Sequence, residues 1–553
     1  MWAYDTTFYQ LYTLGFCGAP KENDGKFSPR IRKVIDWIPH IRQLNAGAIY
    51  FCPVFSSDTH GYDTRDYRVL DERLGTNTDF ADVCRELHAA GIKVVLDGVF
   101  NHVGRGFWAF QDVLKNREKS QYKDWFQINF GGNSPYNDGL WYEGWEGHFE
   151  LVKLNLRNEA VVTHLFECIS LWIREFEIDG LRLDVAYSLP DDFLQELRAF
   201  CDREKDDFFL LGEVLHGDYN RLMGDDKLHS TTNYQAYKGM WSSFNDLNMF
   251  EIAYTLEQHY SQAYAGKHLL SFVDNHDVER VASILKDPKH LPMIYGMLFG
   301  VPGIPCIYYG SEWGAEGKKQ QGSDDSLRPA FDAPVENELS RYIARLAAAR
   351  AQEPALCHGS YQKLLLTNRQ LVFERALPDQ RVIVAINADD KPFHADFYAP
   401  GGSATELIEG KTLTFSGGTD LAPYSVSYWR FPALEKANPL VSPKPVTIPI
   451  PVPAAPESRV AAEIPVPAAA AVAVAPPIPE VIQNTRFTDG HLVFESCVGG
   501  KRVLAAVNAG DGPFEIKFDF HGEAAELLSG KSHRLDGGYT LPAHSAFYWE
   551  LSI

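Results

Sequence analysis

An alternation running from the N-terminus to about position 356 restricts the fold of this chain more than any other feature. Short apolar, β-rich runs ("TTFYQLYTL", "AGAIYFCPVF", "IKVVLDGVF", "GLRLDVAYSL", "FFLLGEVL", "TTNYQAY", "HLLSFVDNHD" and "IPCIYYGSEW") are separated by segments of helical period such as "TDFADVCRELHAAG", "NEAVVTHLFECISLWIREF" and "LPDDFLQELRAFCDRE". Strand followed by helix, repeated about eight times, predicts an α/β fold closed into a (β/α)8 barrel. An open doubly wound sheet is the competitor, and no G-x-G-x-x-G follows the first strand to favour it.

The spacing also predicts what is attached to the barrel, taken as residues 1–356. Between "DGVFNHVG" and the helix near Asn158 lie about fifty residues rich in Gly, Trp, Tyr and Asn, too many for an ordinary strand-to-helix connection. They are expected to form a small inserted domain over about 101–157, leaning on the C-terminal rim. After the last helix the period changes to short strands and Gly turns, and the chain repeats itself. "LVFERALPDQRVIVAINADDKPFHADF" from Leu371 returns as "LVFESCVGGKRVLAAVNAGDGPFEIKF" from Leu492, and "APYSVSYWRF" returns as "PAHSAFYWEL". Two copies of one antiparallel β-domain are expected, at 357–433 and 483–553. They are joined over 434–482 by a Pro/Ala/Val-rich linker of polyproline II character.

A net charge of −21 argues against general affinity for nucleic acid or for an anionic membrane surface. No basic n-region followed by an apolar core and cleavage site opens the chain, and no run is long and apolar enough to span a bilayer. The eight cysteines are scattered, with no C-x-x-C pair and no His/Cys cluster. They read as reduced, buried thiols of a cytoplasmic protein and point to no zinc site.

Within "GLRLDVAYSL" the period of a strand sends Leu181, Leu183 and Val185 to one face and Arg182 and Asp184 to the other. In a barrel, polar residues at C-terminal strand ends face the site. That rule gives the pair company: Asp97, Asn101 and His102 at the third strand, Glu213 at the fifth, and Asn275, His276 and Asp277 at the seventh. Unpaired carboxylates crowded on one rim raise each other's pKa, which a purely structural role does not explain. A carboxylate/histidine metal site and acid/base chemistry by paired carboxylates are the two readings. Arg182 favours the second, since a fixed cation keeps Asp184 ionised and repels a metal.

"DGVFNHVG", "GLRLDVAYS", "GEVLH" and "FVDNHD", in that order, resemble the four signature regions of the α-amylase superfamily, glycoside hydrolase family 13. The resemblance covers the barrel, the insertion (that family's domain B) and the following β-domain (domain C). It implies Asp184 as nucleophile, Glu213 as general acid/base and Asp277 as transition-state stabiliser. It further implies that Arg182, His102 and His276 contact the sugar, with Asp97 holding the arginine. "HGYDTRDY" adds His60 as a hydrogen-bonding residue and Tyr62 as a stacking platform, and "DDSLRPAF" adds Asp324 and Arg328. A double displacement follows, with carboxyl groups about 5–5.5 Å apart, on an α-glucan substrate and with no cofactor.

"LVKLNL" resembles the fifth region of neopullulanases, cyclomaltodextrinases and maltogenic amylases. Many α-amylases carry a calcium-binding aspartate at the position of Lys153, so no calcium at that site is expected here and no metal is assigned. Leu215, where that group often has Trp, and a chain that begins at the first strand depart from the group. "FVDNHD" is closer to ordinary α-amylases, and Leu151 with Lys153 disfavours α-1,6-specific glucosidases. The expected function is hydrolysis of α-1,4 bonds in maltooligosaccharides, extending to cyclodextrins and starch. The alternatives are a 4-α-glucanotransferase and a non-catalytic glucan- or protein-binding relative. Trp141, Tyr142 and Trp145 stand as ring-stacking residues or as the insertion's own core. Phe494, Tyr548 and Trp549 repeat Phe373, Tyr428 and Trp429 and read as shared packing positions.

Overall fold

The computed structural model describes residues 1–397, 402–415 and 417–431, and then 481–551 except 489–490, 499–500, 509–511, 527–530 and 544. It divides into two units, Met1–Val441 and Ser442–Ile553.

In the first unit eight parallel strands form one sheet: β1 Thr7–Leu11, β2 Ala46–Phe51, β3 Lys93–Gly98, β4 Gly180–Leu183, β5 Phe209–Gly212, β6 Ser230–Thr231, β7 Leu270–Phe272 and β8 Ile304–Tyr308. Their order is β6-β5-β4-β3-β2-β1-β8-β7. A parallel bridge from Thr232 to Leu270 joins the two ends, so the sheet is closed into a barrel. Strands buried on both faces read as near-continuous apolar runs, as parallel strands covered by helices must.

The helices between them form where sequence and capping agree. Asn77–Ala89 starts on a capping box made by Thr76 and Asp79. Glu159–Phe176 starts on the Asn158 side chain and ends at Glu177, whose φ of 55° stops the helical turn. Its apolar stripe, Leu165, Cys168, Ile169, Trp172 and Phe176, is buried against the barrel, where Trp172 stacks on Phe55 at 4.4 Å. Truncating that indole would cost about 3–5 kcal/mol.

Two strand expectations are corrected. "TTNYQAY" contributes only Thr231 to a two-residue strand, Ser230–Thr231, because the Asn233 side chain caps a helix that begins at Tyr234. "GLRLDVAYSL" is extended only to Leu183, and Val185 adopts φ 40°, ψ 47°. Val185 therefore leaves the apolar face on which alternation puts it.

The inserted segment folds around three short strands, His102–Gly104, Gly144–Trp145 and His148–Lys153, which pair with one another. Lys153 faces no acid of its own strand; its Nζ donates to Glu143 Oε1 at 2.7 Å. Asn101 spends its amide on His102 Nδ1 at 3.1 Å. Tyr142 is buried as core of this insertion, whereas Trp141 is exposed.

Past helix Glu338–Gln352 and the short helix Pro354–His358, six strands run in the order Ser360–Leu366, Gln370–Leu377, Gln380–Asn387, Ser425–Phe431, Gly402–Glu406, Thr412–Phe415. The second unit repeats that order with Val481–Thr488, His491–Val498, Lys501–Asn508, Ser545–Leu551, Phe514–Glu526 and Ser532–Leu541. Its first strand starts at Val481, two positions before the expected boundary. The expected linker otherwise lies outside the described residues. Of the repeated packing positions, Phe373, Tyr428, Trp429 and Trp549 are buried and Tyr548 is half-buried, while the side chain of Phe494 lies outside the described residues.

Candidate active site

The site is built at the C-terminal ends of β3, β4, β5 and β7. Parallel pairing sets Arg182 on β4 directly beside Asp97 on β3 and Leu183 beside Gly212 on β5, so Asp184 and Glu213 leave their strands side by side. The left-handed turn at Val185 matters here. It aims the Val185 N–H at Glu213 Oε2, 3.1 Å away, and puts Val185 in the wall of the cleft. A β-branched residue holds that conformation only at a cost of about 1–3 kcal/mol, the kind of strain that collects at functional sites.

Arg182 is the hub. Its Nη1 donates to Asp97 Oδ1 at 2.9 Å and to Asp184 Oδ1 at 2.8 Å, and its Nη2 lies 2.6 Å from Glu213 Oε1. All four side chains are buried. Three carboxyls around one guanidinium leave surplus negative charge in a low-dielectric space, where ionising the last of them is costly. Burial accordingly carries Asp97, Asp184 and Glu213 each up to about 7, against the downward pull of Arg182. Burial thus favours a proton shared within the cluster near neutrality, while Arg182 favours the charged form of each carboxyl.

Asp277 is treated differently. Burial pushes it up, but the Nε2–H of the adjacent His276 and the charges of Arg328, Arg182 and Lys319 outweigh burial and hold it below the ordinary carboxylate range. Arg328 Nη2 donates to Asp277 Oδ1 at 2.8 Å, and Arg328 Nε donates to the His276 carbonyl at 2.9 Å. The same guanidinium lies 3.4 Å from Asp324, whereas Asp325 turns away toward Lys21.

The two histidines of the rim are neutral. Burial takes His102 and His276 each down to about 3. Asn101 faces Nδ1 of His102, and Gln10 faces Nδ1 of His276 at 2.8 Å, so each ring carries its proton on Nε2. Nε2 of His276 points at Asp277 Oδ2, 3.1 Å away, and at the Tyr62 hydroxyl. Nε2 of His102 lies 3.8 Å from Asp184 Oδ2 and is otherwise an unpartnered buried donor. It can bond a hydroxyl placed between them.

These residues line one cleft of 490 Å³. Of the residues singled out in the sequence, His60, Tyr62, His102, Asp184, Glu213, Asp277, Asp324 and Arg328 line it, and Trp145 joins them from the insertion. Asp97, Arg182 and His276 lie just beneath, buried at 3%, 2% and 1% exposure. Tyr62 closes the floor: its hydroxyl donates to Asp97 Oδ2 at 3.2 Å and its ring stacks on His276 at 5.7 Å. Sequence reading passed over Gln10, Tyr234, Tyr187 and Lys319. Gln10 had a signal, as the polar residue of a strand buried throughout. Tyr234, whose hydroxyl reaches Glu213 Oε1 at 3.5 Å and accepts from Asn275 at 2.9 Å, was hidden by assigning its segment to a strand.

The pattern described as the α-amylase catalytic domain matches residues 10–349. The chain is 30% identical over 413 residues to an intracellular maltogenic amylase of Bacillus subtilis, covering 70% of this chain and 69% of the relative. It is 31% identical over 422 residues to a cyclomaltodextrinase of a Bacillus species, covering 71% and 74%. Among solved structures it resembles the ligand-free cyclic α-maltosyl-(1→6)-maltose hydrolase from Arthrobacter globiformis, with TM-score 0.68 and 28% identity over 78% of this chain and 99% of that one.

Proposed function

The chain belongs to the α-amylase family, and from that premise we propose that it is a retaining hydrolase of α-1,4 bonds in maltooligosaccharides and cyclodextrins. The observation that carries the reading is the Arg182 hub, with Nη1 2.8 Å from Asp184 and Nη2 2.6 Å from Glu213, which supports one ionised carboxylate beside a carboxyl that holds a proton. Asp184 attacks the anomeric carbon while Glu213 protonates the departing glycosidic oxygen, giving a β-glycosyl enzyme. Glu213, now ionised, takes a proton from water, which releases the sugar with its α configuration restored. Asp277, kept anionic by Arg328 and His276, accepts hydrogen bonds from the ring hydroxyls as the ring flattens. His102 donates from Nε2 to a ring hydroxyl, Tyr62 presents its ring to the apolar sugar face, and Asp97 fixes Arg182. His60 and Asp324 bond the same sugar from the cleft wall.

A cytoplasmic site of action is supported by seven buried, unpaired cysteines among the described residues and by a relative named intracellular.

The test is a time course on β-cyclodextrin and maltoheptaose, with the anomer of the first product read by NMR, for wild type and Glu213→Gln. Opening of the ring with α-anomeric maltose as main product, abolished in the variant, is expected. A β-anomer would overturn the double displacement. Products longer than the starting sugar would make the enzyme a glucanotransferase.

A further inference from the structure

Three residues past Asp277 stands Arg280, fully buried and outside the cleft. Its two Nη groups donate to acceptors on loops that have no strand pairing to hold them, while the buried Nε has no partner among the described residues. Nη1 donates to the Tyr309 carbonyl at 2.8 Å and to Ser311 Oγ at 2.9 Å, and Nη2 donates to the Leu327 carbonyl at 3.0 Å. The guanidinium lies over the ring of Tyr308, 4.5 Å from its centroid. Its own backbone N–H is tied to the Gly317 carbonyl at 3.0 Å.

The space is made for this side chain. A Cβ on Gly310, which has φ +92°, would meet the Phe331 ring at 2.6 Å and Arg280 Nη1 at 3.2 Å. From the other side Asp274 takes Val281 N–H and Ser311 Oγ on one oxygen, each at 2.8 Å, locking the loop that begins at β7 to the loop that follows β8.

Leu327 immediately precedes Arg328, and Arg328 is the residue that grips Asp277 and the His276 carbonyl. The contacts therefore close a ring: Asp277 to Arg328 through the ion pair, Leu327 to Arg280 through the carbonyl, and Arg280 back to Asp277 along three residues of chain. We propose that Arg280 is a positioning residue of the reaction, fixing the Asp277–Arg328 pair at the spacing needed to hold the ring hydroxyls of the sugar in the transition state. It never touches substrate. A planar fork that donates to separate acceptors while stacking on Tyr308 is a geometry lysine cannot reproduce.

The inference rests on the role proposed above for Asp277, and the test separates the two. Full-length Arg280→Lys is compared with wild type on α-maltosyl fluoride and on its analogue lacking the 2-hydroxyl of the reacting ring; the fluoride leaving group makes no demand on Glu213. On the parent substrate kcat is expected to fall about 10–100-fold with KM within about twofold, as misplacement of a transition-state contact does. On the 2-deoxy substrate, which lacks a hydroxyl that Asp277 would hold, the loss is expected to shrink to under about threefold. An equal loss on both substrates, or an unchanged kcat, would overturn the proposal. Tyr308→Phe removes the second donor to the same Leu327 carbonyl, 2.9 Å away, with little change in volume. It should show the same selectivity at smaller size, and decides the matter if Arg280→Lys does not fold. Asp277→Asn is the control: no preferential loss on the parent substrate there would refute the role of Asp277 itself.

Discussion

At the scale of single residues, Glu213 serves two needs that oppose each other. It must hold a proton near neutrality, which burial brings about by raising it to about 7 from an ordinary value of 4.5, and the fold bears the consequence. A carboxyl raised in the folded state binds more protons there than in the unfolded chain between those two values, so stability falls as pH rises through that window. Glu213→Gln cannot ionise. It should gain about 2–5 °C in Tm at pH 8, converging on wild type at pH 4, while hydrolysis of maltoheptaose falls about 10³-fold. A Tm difference independent of pH would show that Glu213 is not strained by its charge. The carboxylates, Arg182 and the histidines were legible in the sequence because chemistry of this kind needs rare residue types at strand ends. Tyr234 and Val185 were not, because what brings them to the site is a helix cap and a left-handed turn, neither of which leaves a distinctive residue type.

At the scale of elements, the inserted domain carries a charge arrangement with its own consequence. Lys153 and Glu143 are each about one-third exposed, 36% and 39% by side chain, so their pair is worth at most about 1 kcal/mol. The strand carrying Lys153 also supplies Glu150 and His148 to the cleft, and its carbonyls and amides pair with His102–Gly104. Reversing the charge with Lys153→Glu sets two acids together on the wall of this small sheet. Tm in EDTA is expected to fall about 2–4 °C, with millimolar calcium restoring it because the new acid pair would accept a divalent cation. Wild type should show one Tm in EDTA and in calcium. A wild-type drop in EDTA would mean that an ion, and not Lys153, holds this domain. Barrel strands and helices could be read closely from period and capping. The insertion could be located but not shaped, since its strands of two to six residues are set by tertiary packing and not by their own pattern.

At the scale of the whole molecule, the duplicated β-domain shows how one sequence serves two circumstances. In the first copy Arg375 donates to the Gly300 carbonyl at 3.0 Å, and Val426 and Val384 lie against Gly296 and Gly300 of the barrel helix His290–Gly300. Leu371, Phe373, Val384 and Tyr428 accordingly belong to the core of the barrel. In the second copy the repeat places Ser496, Ala505 and Ala546 at the positions of Arg375, Val384 and Val426. Each copy has a core of its own: Ile383, Ala385, Leu421 and Trp429 in the first answer to Leu504, Ala506, Leu541 and Trp549 in the second, where Tyr539 and Phe547 are packed on in addition. Those two rings stand where the first copy has Thr419 and Ser427. Small domains need such added apolar volume to stand alone. A chain ending at Val441 should therefore keep kcat/KM on maltoheptaose within about twofold, because it retains the barrel core and every cleft residue. Removing the first copy as well, by ending at His358, would strip apolar residues from that core and should leave an aggregating chain. Loss of activity on removing only the second copy would show that its separate core does not make it separable, and that the two copies work together on substrate.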